Sequence, residues 1–281
     1  MAVLLALTAA VAYGTSDFLG GLTSRRASPW AVALVVLATA AAATAVLSIA
    51  VPGRPSGVDL GWGALAGLGG GVGTVTLYRG LSLGRMGVVA PVSAVGATLV
   101  PVVVGVVAAG DRLSALVWAG VVLALPGIWL VARQPAPEAG SGPGVQAAGV
   151  RDGILAGLGF GTLFAALGQI PDDAGLLPLA LNHAVAGSLV LALAVSTRAD
   201  WRPRGRSGLW SVAPGLLGAA ATAAFLLASQ GGRLSVVAVL ASLYPAVTVL
   251  LAAALLREPV ARSQGMGLVA CCAAVVLISA G

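Results

Sequence analysis

Three observations predict an all-α membrane protein of ten transmembrane helices, built as two inverted five-helix repeats around a central cavity. The 281 residues are 59% hydrophobic and only 9% charged, with a mean hydropathy of +1.03, far more apolar than a soluble domain. The apolar residues gather in runs long enough to cross a hydrocarbon core of roughly 30 Å at about 1.5 Å per helical residue. The second half of the chain also repeats the first.

On that ruler the first half spans the membrane at 2–22, 29–51, 60–83, 86–109 and 113–132, and the second at 152–170, 176–196, 209–230, 234–256 and 263–280. The first run begins without a basic leader region, so it reads as a retained helix rather than a cleaved signal. The second contains AVALVVLATAAAATAVLSIAV, which lacks the two-residue alternation of a membrane β-barrel strand. In the third and sixth runs, Gly67 with Gly71 and Gly157 with Gly161 make small-xxx-small faces, read as packing surfaces rather than hinges.

Prolines punctuate the fourth run at Pro91 and Pro101, the fifth at Pro126, the eighth at Pro214 and the ninth at Pro245. Each removes an intrahelical hydrogen bond and can free a carbonyl toward a cavity. The seventh run holds Asn182 and the only histidine, His183, read as a structural residue of a peripheral helix. The tenth holds the two cysteines, Cys271 and Cys272. As neighbours they are ill placed for a disulfide, and no metal-ligand spacing surrounds them, so they read as packing residues.

The halves are joined by RQPAPEAGSGPGVQAAGVRD, 133–152, too polar to span and too rich in helix breakers to fold alone. The organisation is therefore a first repeat at 1–133, a polar linker at 134–151 and a second repeat at 152–281. Trp62, Gly67, Gly70, Thr74, Gly84, Arg85 and Val88 match Trp210, Gly215, Gly218, Thr222, Gly232, Arg233 and Val236 in one register, 210 − 62 = 148. Tyr13 matches Phe160, and Asp111 in AAGDRLS matches Glu258 in LLREPVA, at a shift one residue shorter. Because five is odd, the second repeat enters from the opposite side, the arrangement in which two halves rock around a midplane site in many secondary transporters.

Taken together, Tyr13-Gly14 and Phe160-Gly161 in the first helix of each half, Gly110-Asp111-Arg112 after the fourth, and Pro245 followed by Glu258-Pro259 resemble the EamA-type members of the drug/metabolite transporter superfamily. The chain departs from that pattern where Tyr13 and Phe160 replace tryptophan and Asp111 replaces glutamate. The resemblance implies that helices 1, 3, 4, 6, 8 and 9 line a central cavity, with 5 and 10 at its rim. Candidate substrate-binding residues on those helices are Tyr13, Thr15, Asp17, Tyr78, Ser93, Phe160, Thr162, Phe225, Gln230, Ser242 and Tyr244. As a set they describe a mostly apolar pocket with few polar handles, suited to an amphiphilic metabolite or drug.

Two charges, Asp17 and Arg79, fall well inside spans, away from their first residues. A charge at the centre of a spanning helix costs about 2.5–3.5 kcal/mol on insertion scales, so each is expected to be paired or to face a cavity. Their depths differ by roughly one turn, which makes an Asp17–Arg79 salt bridge one expectation. A substrate-amine or proton-coupling role for Asp17, or a carboxylate reaching the interface, are the others. The aligned residues of the second half are Phe164 and Leu227, so any ionic function here belongs to one half.

All fifteen basic residues are arginines, and they are scattered over many loops, not clustered into a nucleic-acid surface. Most lie in the odd-numbered loops, STRADWRPRGRSG above all. The positive-inside rule makes those loops cytoplasmic and puts both termini outside, whereas the resemblance implies cytoplasmic termini. Lysine is absent, and with it any nucleotide-binding P-loop, so the energy for transport is expected to come from a gradient or from the substrate itself.

The leading expectation is a multi-pass protein of the cell membrane, a bacterial inner membrane, that exports small metabolites or drugs by alternating access. It acts as a monomer with no cofactor or metal, the proton being a candidate coupling ion. An intramembrane lipid-modifying enzyme is the alternative, though one histidine and few buried carboxylates supply it poorly; a non-transporting scaffold or sensor is another.

Overall fold

The computed structural model describes residues 1–24, 26–82, 86–108, 110–132, 143–203, 207–256 and 260–280. They form α1 (Ala2–Ser24), α2 (Pro29–Ala50), α3 (Gly57–Ser82), α4 (Met86–Val107), α5 (Ala115–Ala132), α6 (Pro143–Leu167), α7 (Leu177–Ser196), α8 (Ser207–Trp210), α9 (Val212–Gly231), α10 (Leu234–Ala241), α11 (Tyr244–Leu256) and α12 (Arg262–Ala280). A single 3-10 turn, Asp172–Ala174, precedes α7, and no strand occurs among the described residues.

Six segments among these residues are long and apolar enough to cross a membrane: Ala2–Ser24, Pro29–Ala50, Gly57–Leu77, Leu177–Ser196, Gly208–Gly231 and Leu234–Leu256. Shorter apolar helices run over Val92–Val107, Ala115–Val131 and Arg262–Ile278. Linker residues 133–142 lie outside the described residues, as do Gly84, Arg85, Glu258 and Pro259.

Three boundaries differ from the sequence expectation, each for a local reason. Helix α6 begins at Pro143, inside what reads as a linker. Proline is favoured in a first helical turn, where its missing N–H is not needed, and VQAAGVRD after it contains no further proline. The eighth run divides at Ser211 into α8 and α9, because Pro214 cannot donate to the carbonyl of Trp210. The ninth divides between Ala241 and Tyr244, where Pro245 likewise leaves the Ala241 carbonyl without its helical donor. There the Leu243 N–H closes instead on Leu240 O at 3.2 Å.

Glycine decides which helices meet. A Cβ at Gly63 or Gly67 would lie 2.5 Å from the carbonyl oxygen of Pro178 or Asn182, so one small face of α3 lies directly on α7. Gly96 of α4 and Gly157 of α6 are in backbone contact, a Cβ on either falling within 2.9 Å of the other's Cα. Lipid supplies little hydrophobic drive between helices, and such close approach replaces it with dispersion contact. The small faces predicted at Gly67–Gly71 and Gly157–Gly161 are thus packing faces, against α7 and α4. In the resulting arrangement α3 packs on α6 and α7, α4 on α6, α1 on α9 and α11, α2 on α7 and α9, and α5 on α12.

Candidate functional site

Where α1, α2 and α3 of the first half face α6, α7 and α9 of the second, the helices enclose a cavity of about 110 Å³. Its polar wall is Tyr13, Ser16 and Asp17 from α1, Thr74 from α3, Asn182 and His183 from α7, and Thr222 from α9. Leu37, Leu77, Phe160 and Leu163 supply much of the apolar surface.

Several of these polar groups are spent on holding helices together. Ser16 Oγ donates to Pro214 O at 2.8 Å, joining α1 to α9. The His183 ring lies across three helices, with Nδ1 3.1 Å from Leu179 O and 3.4 Å from Thr44 Oγ1 of α2, and Nε2 3.3 Å from Thr222 Oγ1 of α9. His183 is therefore a fastening residue, as its sequence reading has it, but in the cavity wall and not at the periphery.

Other polar groups are not spent. Asp17 is half-buried and makes no hydrogen bond or ion pair among the described residues. The Tyr13 hydroxyl and Asn182 Oδ1 are buried without a hydrogen-bond partner among them. An ionised carboxylate and an amide oxygen only accept hydrogen bonds, and a phenol does either. With the Asn182 amide nitrogen and the Thr74 hydroxyl in the same wall, the open chemistry is mixed, and its one acceptor-only group is the ionised Asp17 carboxylate.

The expected Asp17–Arg79 bridge is corrected. Arg79 donates to the carboxylate of Asp152 in α6, whose side chain is fully buried while that of Arg79 is 40% exposed. Arg151 Nε stands 3.9 Å from the same carboxylate. The reason lies in lateral packing: α3 is set against α6 and α7, whereas the main neighbours of α1 are α9 and α11.

The lining helices also differ from those the resemblance implies. Helices α2 and α7 contribute to the wall of this cavity, and among the described residues α4, α10 and α11 do not. Of the candidate residues, Tyr13, Asp17 and Phe160 meet at the cavity. Thr15 and Thr162 instead turn their hydroxyls back to Val11 O and Leu158 O within their own helices. Tyr244 packs edge-on to Tyr13 at 6.4 Å, and Ser93 is buried. Phe225 is fully buried against Phe164, the residue aligned with Asp17 in the other half, at 4.6 Å. Gln230 binds Pro171 O at the turn before α7, and Ser242 is buried at the α10–α11 break. The side chain of Tyr78 lies outside the described residues.

Sequence reasoning did not single out Ser16, Thr74, Asn182, Thr222 or Asp152 for these positions. Asn182 and His183 side by side in an apolar helix were a readable signal, set aside because the lining set excluded their helix. Asp152 gave none, since it falls where the polar linker was expected to end.

No curated protein sequence matches the chain. A solved crystal structure of another protein superposes on 99% of this chain and 96% of its own length, with a TM-score of 0.77 at 17% identity, a likeness of fold alone. The model of the EamA-like transporter family matches twice, over residues 1–133 and 149–280. Each match covers one half of the chain and includes one side of the cavity, and on that ground this multi-pass membrane protein belongs to the EamA-like transporter family.

Proposed function

We propose that the chain is a secondary active transporter, exporting small amine-bearing metabolites or drugs by alternating access of ten helices in two inverted repeats. The observation that carries this reading is the Asp17 carboxylate, which faces a cavity walled by both halves and has no partner among the described residues. A charge in that setting is costly, and either an ammonium group or a proton offsets the cost. The two compete for the same oxygens, so outward movement of one can be exchanged for inward movement of the other. Asn182 Oδ1 and the Tyr13 hydroxyl support the same ligand chemistry.

Alternating access draws support from two contacts between the halves at opposite ends of α4. Near its start, Arg79 of α3 holds Asp152 of α6. Beyond its end, Asp111 holds Ser235 in the first turn of α10. Opening toward either side parts one contact and keeps the other. The cavity, at about 110 Å³, is well below the roughly 300–1,000 Å³ of small-molecule sites. Cargo of that size therefore requires the helices to separate from their present packing. The positive-inside rule favours basic loops in the cytoplasm and both termini outside.

The test is a screen of isotope-labelled amines and neutral and anionic metabolites in proteoliposomes, with and without a pH gradient. Uptake of amines that the gradient accelerates and that Asp17→Asn abolishes at equal protein content is the expected result. A preference for anions, or full activity in Asp17→Asn, would sink the proposal.

A further inference from the structure

The packed pair α2 and α7 carries a second space on its outer side, a groove of about 400 Å³, between three and four times the central cavity. Leu34 and Ala38 form one wall and Gly187 and Leu191 the other, with Trp201 at the end. Ala38, Ala184, Ser188 and Leu191 are exposed along it, which on apolar spanning helices means exposed to the bilayer.

We propose that this groove is a lipid site, seating an acyl chain of an anionic phospholipid whose phosphate is held by arginines of the loop after α7. The walls specify hydrocarbon. Ser188 Oγ donates within its own helix to Ala184 O at 2.8 Å. Both ring nitrogens of His183, which forms the back of the groove, face Leu179, Thr44 and Thr222. Among the described residues no polar handle is left for the buried part of a ligand, as an acyl chain requires.

The end of the groove specifies the headgroup. Trp201 suits the membrane–water interface, where its ring is apolar and its N–H is hydrated. The Arg202 guanidinium lies 5.4 Å from the centre of that ring, and Arg198 and Arg202 are exposed. The loop sequence TRADWRPRGRS holds four arginines and one aspartate, a charge that an anionic headgroup complements and a zwitterionic one does not. Leu37 and His183 line the groove and the central cavity alike, so the seated chain backs the cavity wall.

Trp201 makes the site directly observable. The full chain is reconstituted in phosphatidylcholine vesicles and titrated with phosphatidylglycerol carrying brominated acyl chains, against brominated phosphatidylcholine. Trp201→Phe identifies the contribution of Trp201 to the emission. Saturable quenching of that contribution is expected at a several-fold lower fraction of brominated phosphatidylglycerol than of brominated phosphatidylcholine.

Gly187→Phe should abolish the saturable component. A Cβ there meets only Leu37 Cβ at 3.6 Å, an ordinary contact, so the new side chain is not blocked at its base. Ser188→Phe, on the same exposed edge, gives an independent plug. Arg198→Gln with Arg202→Gln should remove the headgroup preference. Equal quenching by the two lipids overturns the anionic assignment, and quenching unchanged by both plugs overturns the groove. Cross-linked dimers that the plugs dissolve would overturn the proposal in favour of a second copy of this chain.

Discussion

Asp111, just beyond α4 in the first half, accepts hydrogen bonds from both the N–H and the hydroxyl of Ser235 in the second, at 3.0 and 2.6 Å through one carboxylate oxygen. Ser235 is the second residue of α10, so the carboxylate satisfies a first-turn N–H that has no intrahelical partner and meets the positive end of the helix dipole. In the same place Arg233 donates to the Arg112 carbonyl at 2.7 Å. Asp111 is thus a helix cap delivered across the two halves. Asp111→Ala should cost about 1 kcal/mol, as loss of a cap does, and Asp111→Asn less. Thermal unfolding in detergent measures both, and equal losses would show that the capping interaction is not what Asp111 contributes.

Arg79 and Asp152 form the corresponding tie at the other end of α4, with a different energetic character. Removing one member of a buried pair costs about 3–5 kcal/mol, and screening at a 40% exposed Arg79 side chain brings the expectation down to about 2. Arg79→Leu should therefore destabilise the protein well beyond Arg151→Leu, and Arg79→Leu with Asp152→Leu should recover most of the loss. The functional consequence can be read separately, with Thr74→Cys in the cavity wall and Cys271 and Cys272 replaced by alanine. Arg79→Gln should raise labelling of that cysteine by an impermeant thiol reagent from the side of the α3–α4 loop, and Asp111→Ala from the opposite side. Labelling raised from the same side by both would break the link between these contacts and alternating access.

The position of a residue along its helix was legible in the sequence, and its lateral neighbours were not. Hydropathy locates Asp17 and Arg79 along their helices because lipid demands about 20 apolar residues per span. Which helix stands beside which is decided by surfaces that hydropathy does not describe, such as the meeting of Gly63 and Gly67 with α7. This is why depth arithmetic alone does not lead to the partner of Arg79, which is Asp152. It is the resemblance, not hydropathy, that leaves helix 7, with Asn182 and His183, at the periphery. The prolines were more informative: Pro214 and Pro245 mark the two places where a predicted span becomes two helices. Asp17 was recognisable as costly in lipid, and only the fold reveals that the cost is left unoffset by any partner among the described residues.

The Gly96–Gly157 crossing gives a direct test of that packing. An added methyl normally favours a helix by about 1 kcal/mol over glycine, so a Gly→Ala change that destabilises must do so by collision. At Gly96 the new Cβ would stand 2.8 Å from the Gly157 backbone, whereas at Gly21 it meets nothing within 4 Å. Gly96→Ala should cost about 1–3 kcal/mol, the range for an overpacked interior, and Gly21→Ala should be neutral or stabilising. Thermal unfolding of the two variants side by side decides the matter, and equal melting temperatures would place α4 and α6 farther apart than described.

The Asp17 carboxylate sets a sign for the pH dependence of transport. Protons and a cationic cargo compete for its oxygens, so acidifying the face from which cargo binds should weaken binding by filling the site. Acidifying the opposite face should accelerate transport toward that face, because a proton entering there displaces the cargo. A charge-assisted hydrogen bond contributes about 1.5–3 kcal/mol, so Asp17→Asn should weaken cargo binding by roughly ten- to a hundredfold. It should also flatten both pH responses while leaving the melting temperature unchanged or raised, since the substitution removes an uncompensated charge from the membrane interior. Proteoliposome flux with the pH of each face set independently separates these effects. A variant that loses affinity yet keeps the pH responses would leave Asp17 as a cargo contact and assign proton coupling to another group.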